Sequence, residues 1–180
     1  VKYMPSPENK QVAGISMKNH EIFEANFDFA KPKSAYIFKT IVDPFIGKYS
    51  LIKVYSGVIK SDDVLYNLDK DVEEKVGKIY VLQGNKPIEV PELHAGDIGA
   101  LAKVTAARTG NTLSTKANTI QYGKAEISTP YTYMRYKVKN KSDIDKVSQS
   151  LQKMMHEDLT LKAVNDAENK QMLLYGMGDK

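Results

Sequence analysis

The sequence predicts two architectures in series: an all-β barrel, then a partial α+β unit of the split β-α-β kind. Three observations predict them. From Ala35 to Leu113, short runs with a period of two recur between turn residues. After about Asn118 a helical period replaces that alternation, and strand-like runs lie on both sides of the helical stretch.

In the first part, Ala35–Val42 is aromatic and β-branched, and it breaks at Asp43-Pro44 before a turn through Gly47. Leu51, Lys53 and Tyr55 then alternate with Ile52 and Val54. Val58–Lys60 and Val64–Asn67 flank Ser61-Asp62-Asp63, a polar turn. Glu74, Val76, Lys78, Tyr80 and Leu82 oppose Glu73, Lys75, Gly77, Ile79 and Val81, as in one continuous strand. The turn His94-Ala95-Gly96-Asp97 precedes a buried run, Ile98–Val104. Gly57 and Gly77, inside this pattern, mark bulges or tight bends of the kind that curve a barrel.

In the second part, Thr132–Val138 reads as a strand, with Met134, Tyr136 and Val138 on one face and Tyr133, Arg135 and Lys137 on the other. Ser142 offers an N-cap with Asp145 three residues on. Ile144, Val147, Leu151 and Met154 form one helical stripe, and the helix stops near Glu157-Asp158. Strands at Thr160–Val164 and Met172–Tyr175 follow, joined by a polar loop, Asn165–Lys170. Val1 to Phe29 has no clean period; Tyr3-Met4-Pro5-Ser6-Pro7 is broken by proline, and 19–29 reads as a loop with scattered apolar anchors. The expected boundaries are therefore 1–29 lead-in, 30–118 barrel, 119–129 linker and 130–180 α/β domain.

Composition narrows the function classes. The 180 residues carry 26 Lys+Arg against 22 Asp+Glu, a net charge of +4 that permits an RNA surface without requiring one. With no cysteine, disulfides and thiolate metal sites are excluded. No apolar run approaches the ~20 residues of a membrane span, and no secretory signal opens the chain. A cytoplasmic protein without membrane or DNA partners is expected. Because residue 1 is Val and the chain stops just after an apolar strand, we expect a piece of a longer polypeptide.

Five segments carry a family resemblance in order and spacing: Val42 to Gly57, Val76-Gly77-Lys78-Ile79, Asn85-Lys86-Pro87, Ala95-Gly96-Asp97-Ile98 and Thr109-Gly110-Asn111-Thr112-Leu113. They resemble the second domain of translational GTPases, in particular elongation factor G, a β-barrel that follows the GTPase domain. The later strand, helix and hairpin resemble that factor's ferredoxin-like third domain, with Gly176-Met177-Gly178 matching the motif that opens its second helix, which is missing here. By the same resemblance 1–29 closes the GTPase domain and leads into the barrel. The resemblance implies a ribosomal translocase in which GTP and magnesium bind an absent upstream domain, while this piece acts as lever and bearing in protein biosynthesis. It further implies that the second domain rests on small-subunit RNA and that the third reaches a small-subunit protein near the decoding centre.

Two departures stand out. Lys137-Val138-Lys139-Asn140 replaces the family's Glu-Pro after the third domain's first strand, and Glu157-Asp158-Leu159-Thr160 lacks the proline of Glu-Asp-Pro-Thr. Asp158 and Thr160 match positions that line the antibiotic-binding interface with the GTPase domain, and with Gly176, Met177 and Gly178 they are the interdomain candidates. The departures suggest a divergent paralogue.

The chain's own chemistry is sparse. No Gly-x-x-x-x-Gly-Lys-Ser/Thr loop occurs; Gly47-Lys48-Tyr49 lacks the upstream glycine and the hydroxyl, so neither GTP binding nor catalysis is expected of this chain alone. His20, His94 and His156 are scattered without metal spacing, and Asp62-Asp63 and Asp69/Asp71 read as turn carboxylates. The candidate RNA contacts are Lys48, Lys60, Lys78, Lys137, Lys139 and Lys141, with Lys146 and Lys153 continuing along the helix; an ordinary wet face is the plainer reading. Tyr133, Arg135, Lys137 and Tyr175 interleave aromatics with cations as base-stacking sheets do, although no RNA-recognition signature accompanies them, and packing against a neighbouring domain is preferred. Two alternatives remain open: a ribosomal-protection or release-factor GTPase, and a non-catalytic RNA-binding module. The latter requires a reading frame that begins near Val1 and salt-sensitive hairpin binding abolished by Lys137→Ala with Lys139→Ala.

Overall fold

A computed structural model describes residues 3, 5–43, 47–84 and 86–178. The expected turn residues Pro44, Phe45 and Ile46, together with Met4 and Asn85, lie outside the described residues. The chain forms two compact units, 1–124 and 125–180, with the division inside the segment expected as a linker.

The first unit holds thirteen strands among its described residues. They are β1 (Ala13–Ser16), β2 (Ile22–Glu24), β3 (Ser34–Asp43), β4 (Gly47–Ser56), β5 (Val58–Lys60), β6 (Val64–Asn67) and β7 (Val72–Lys75), then β8 (Ile79–Gln83), β9 (Lys86–Val90), β10 (Glu92–His94), β11 (Ile98–Ala102), β12 (Thr112–Ser114) and β13 (Ile120–Gln121). Eight of them form one antiparallel sheet in the order β7-β6-β12-β3-β4-β11-β8-β9. β5 pairs with β10 separately, and Ser61 N donates to Pro91 O at 3.0 Å beside that pair.

The alternation does what its period predicts. Ser50, Ile52, Val54 and Ser56 of β4 point inward while Leu51, Lys53 and Tyr55 are half-buried. Ile37, Ile52, Val54, Leu65, Ile79, Leu101 and Leu113, from strands of the eight-stranded sheet, meet Ile59 of β5 in one barrel core. β3 slips register between Ile37 and Lys39, a bulge that adds curvature. Gly57 has φ +70°, and a Cβ there would lie 2.8 Å from Lys31 O and from Lys33 Cα, so the β4–β5 bend admits no side chain.

Two expectations change. The run 73–82 is not one strand: it breaks between Lys75 and Ile79, so Val76 and Ile79, which strict alternation puts on opposite faces, are both buried. The three residues Val76, Gly77 and Lys78 carry no ladder pairing, at the glycine read as a bulge or tight bend, and the phase shifts by one. The early stretch, which shows no clean period and of which 19–29 reads as a loop, contains β1 and, within 19–29, β2; both join β13 in a three-stranded sheet. Strands of three or four residues are too short for a period to show, and the pairing of β1 with β13 is remote in sequence. Ala25, Ile120 and Tyr122 form a small buried cluster there. Tyr122 and Ser34, 88 residues apart, share a hydroxyl–hydroxyl bond at 2.7 Å. Burial pushes the Tyr122 phenol up to about 12.

The second unit comprises β14 (Thr132–Tyr136), α1 (Ile144–Glu157), β15 (Lys162–Asp166) and β16 (Gln171–Gly176), with the sheet order β14-β16-β15. This is the split β-α-β pattern: the hairpin's second strand inserts between its partner and the first strand. Ser142 is not the cap. A 3₁₀ turn at Lys141–Asp143 precedes α1, Asp143 is the N-cap without a side-chain cap bond, and Asn140 Nδ2 donates to Asp143 Oδ2 at 3.2 Å. Local polar pairing at 140–143 therefore displaces the predicted capping box. The helix ends at Glu157, followed by an extended Asp158. β15 starts two residues later than expected because Thr160 is held in a turn by Asp158.

Candidate functional site

The barrel lysines are engaged by the fold itself. Lys48 lies within β4, and its ammonium donates to the carbonyls of Thr105 (3.1 Å) and Ala107 (2.7 Å). Arg108 Nη1 donates to the same two carbonyls at 2.8 and 2.9 Å, so two cations converge on one loop. Burial, then the Arg108 charge, lowers the Lys48 pKa to about 8, against the opposing pull of Glu74. Glu74 is 7% exposed and accepts from Ala106 N at 3.0 Å. Neither Arg108 nor Glu74 is singled out by the sequence pattern; the position of Arg108 just before the Thr109-Gly110-Asn111 turn was the available signal. Lys60 pairs with Glu92 at 3.3 Å and Lys78 with Glu89 at 2.7 Å, both on the surface.

Lys137, Lys139 and Lys141 are exposed, on the segment between β14 and α1. Lys146 lies 4.0 Å from Asp143. The turn carboxylates have local work: Asp63 accepts from Lys33 (2.6 Å) and from Lys60 N (2.7 Å), while Asp69 pairs with Lys124 at 2.5 Å. His94 sits 3.1 Å from Glu92 and 3.7 Å from Asp97. Among the described residues no cluster of three or more His, Cys, Asp or Glu could hold a metal ion, and no helix is long and apolar enough to cross a membrane.

The structure brings all five interdomain candidates together. Asp158, Thr160, Gly176, Met177 and Gly178 line one groove of about 490 Å³, along with Met154. Asp158 Oδ1 accepts from Thr160 N (3.0 Å) and from its hydroxyl (2.6 Å), a turn built without the proline the resemblance leads one to expect at 159. Met177, 39% exposed, and Met154, 46%, give the groove an apolar wall. A second groove of about 320 Å³ lies between α1 and the sheet, where Val147, Leu151 and Met155 face Tyr136, Ala163 and Met172. Among the described residues α1 has no fully buried side chain.

Comparison with known proteins agrees with this division. The family model of elongation factor G domain 2 matches residues 32–116, and that of elongation factor G domain III matches residues 127–180. A crystal structure of a protein from Thermus thermophilus is similar at 27% identity with a TM-score of 0.70, over 83% of this chain. The match covers 23% of the Thermus chain. Two adjoining matches in family order, spanning most of the sequence, place the chain in the elongation factor G family, of which it carries domain 2 and domain III.

Proposed function

We propose that this chain supplies the ribosome-contacting and lever domains of an elongation-factor-G-like translational GTPase that promotes translocation in the cytoplasm. The carrying observation is the pair of family matches in order, domain 2 then domain III. In this reading GTP and magnesium belong to a separate GTPase domain of the parent, and the barrel and α/β unit move as rigid bodies when the nucleotide is hydrolysed. The groove of Asp158, Thr160 and Gly176–Gly178 receives that GTPase domain. Lys137, Lys139 and Lys141 are the favoured RNA contacts, because their charges are exposed whereas Lys48 is held by two carbonyls.

The test is sedimentation of the chain with small ribosomal subunits over a salt series. Replacing Lys137, Lys139 and Lys141 with Gln is expected to weaken binding and to reduce the salt slope by about 0.7–0.9 for each of these lysines that neutralises a phosphate. An unchanged slope overturns the lysine assignment. Micromolar GTP binding by this chain overturns the division of labour.

A further inference from the structure

The sheet of the second unit has two unlike faces. Met134, Tyr136, Met172 and Leu174 line the two grooves on the α1 side, and Tyr133 and Tyr175 also line the larger one, beside Thr132 and Gly176. The alternate residues form the other face. One row across the three strands is Tyr133, Tyr175 and Lys162; the next is Arg135, Leu173 and Val164. Tyr133 and Tyr175 are directly opposed, with ring centroids 5.3 Å apart and planes tilted by 39°. Tyr133 is 59% exposed, and Arg135 and Lys162 are exposed beside the rings.

We propose that this face binds single-stranded RNA by stacking unpaired bases on Tyr133 and Tyr175, with Arg135 and Lys162 neutralising the flanking phosphates. The reading goes beyond ribosome docking through lysines and does not depend on it. Rings on adjacent strands, one largely exposed, offer π surface that any unpaired base fits, whereas a duplex keeps its bases stacked internally. The two cations lie on either side of the ring pair, one in each row. Asp158 lines the larger groove with both rings and is bonded to Thr160 at 2.6 and 3.0 Å; within the rows of this face the nearest carboxylate, Asp166, is a further row away and is bonded to Asn169 at 2.8 and 3.1 Å. A peptide helix would need a wide apolar stripe, yet the apolar members here are Leu173, which is buried, and Val164.

Fluorescence anisotropy of the chain with a labelled oligouridylate of about 10 nucleotides tests the proposal, since base–aromatic stacking extends over a few nucleotides. Tyr133→Leu and Tyr175→Leu are each expected to weaken binding about tenfold, and Tyr133→Phe to stay within about twofold. Arg135→Gln, at an exposed position, should lower the single-strand salt slope by about 0.7. Photo-cross-linking of unaltered chain to a 4-thiouridine oligomer should mark the peptides bearing Tyr133 or Tyr175, which keeps the test independent of how the variants fold. Cross-links confined to other peptides overturn the proposal, as does an affinity unmoved by Tyr133→Leu or matched by duplex RNA of equal length. An unchanged small-subunit salt slope in the lysine variants, with intact oligomer binding by the unaltered chain, would count against the lysine assignment alone.

Discussion

At the residue scale, Lys48 shows how a fold redirects a charge. The same ammonium that would attract a phosphate in water is half-buried here and donates to Thr105 O and Ala107 O, with the Arg108 guanidinium beside it. Its pKa falls from the ordinary 10.5 to about 8. In that window the unfolded chain binds the proton and the native chain does not, so this group's contribution to stability rises with pH. The charged form is what burial penalises, and the penalty disappears as the native amine deprotonates. Wild type should therefore gain stability relative to Lys48→Met between about pH 8 and about pH 10, as read by urea unfolding at both values. A pH-independent difference would mean that Lys48 titrates normally.

At the element scale, one backbone position holds the β4–β5 bend. Gly57 N donates to Asp28 O at 2.8 Å, and Ala95 N donates to Gly57 O at 3.0 Å, so the bend is tied on both sides. Gly57→Ala imposes a left-handed φ on a residue with a Cβ, a cost of about 1–2 kcal/mol, and drives that Cβ into Lys31 O and Lys33 Cα. The summed loss should exceed about 2 kcal/mol in chemical denaturation. A loss below about 0.5 kcal/mol would show that the bend relaxes freely. Elsewhere, local pattern was a sound guide. The alternation along β4 could be read directly, as could the stop of α1 near Glu157, because side-chain period and helix termination are local properties. The break around Gly77 was signalled by that glycine, read as a bulge or tight bend, whereas the change of phase across it could not be read from the alternation.

At the scale of the whole molecule, the two units differ in how deeply they bury their elements. The barrel core includes Ile37, Ile52, Val54 and Ile79 at 0% exposure, while α1 has no fully buried residue. Opening free energies follow burial and the shielding of backbone hydrogen bonds. Hydrogen exchange should therefore be slowest in β3, β4 and β11 and markedly faster along α1; equal protection in both would contradict the burial difference. The candidate site divides along the same line. The groove residues Asp158, Thr160 and Gly176–Gly178 were legible only through motif resemblance, and their convergence arises because β16 returns beside β14 at the C-terminal end of α1. Arg108 and Glu74 carried no motif, since their relation to Lys48 depends on which loop meets which strand.

By itself the sequence determined the alternating strands, the single amphipathic helix, the absence of a phosphate loop and the family to which the motifs point. Each of these is written in neighbouring residues, within the reach of one strand or one helical turn. Tertiary structure alone decided that β1 and β2 join β13, that Tyr122 bonds Ser34 across 88 residues, and that Lys48 is held by carbonyls. It also set the register that puts Tyr133 directly opposite Tyr175, two residues the sequence had already grouped on one face. Such pairings depend on strand order and register, which are selected by burying all the apolar faces at once, and no local period records the outcome of that selection.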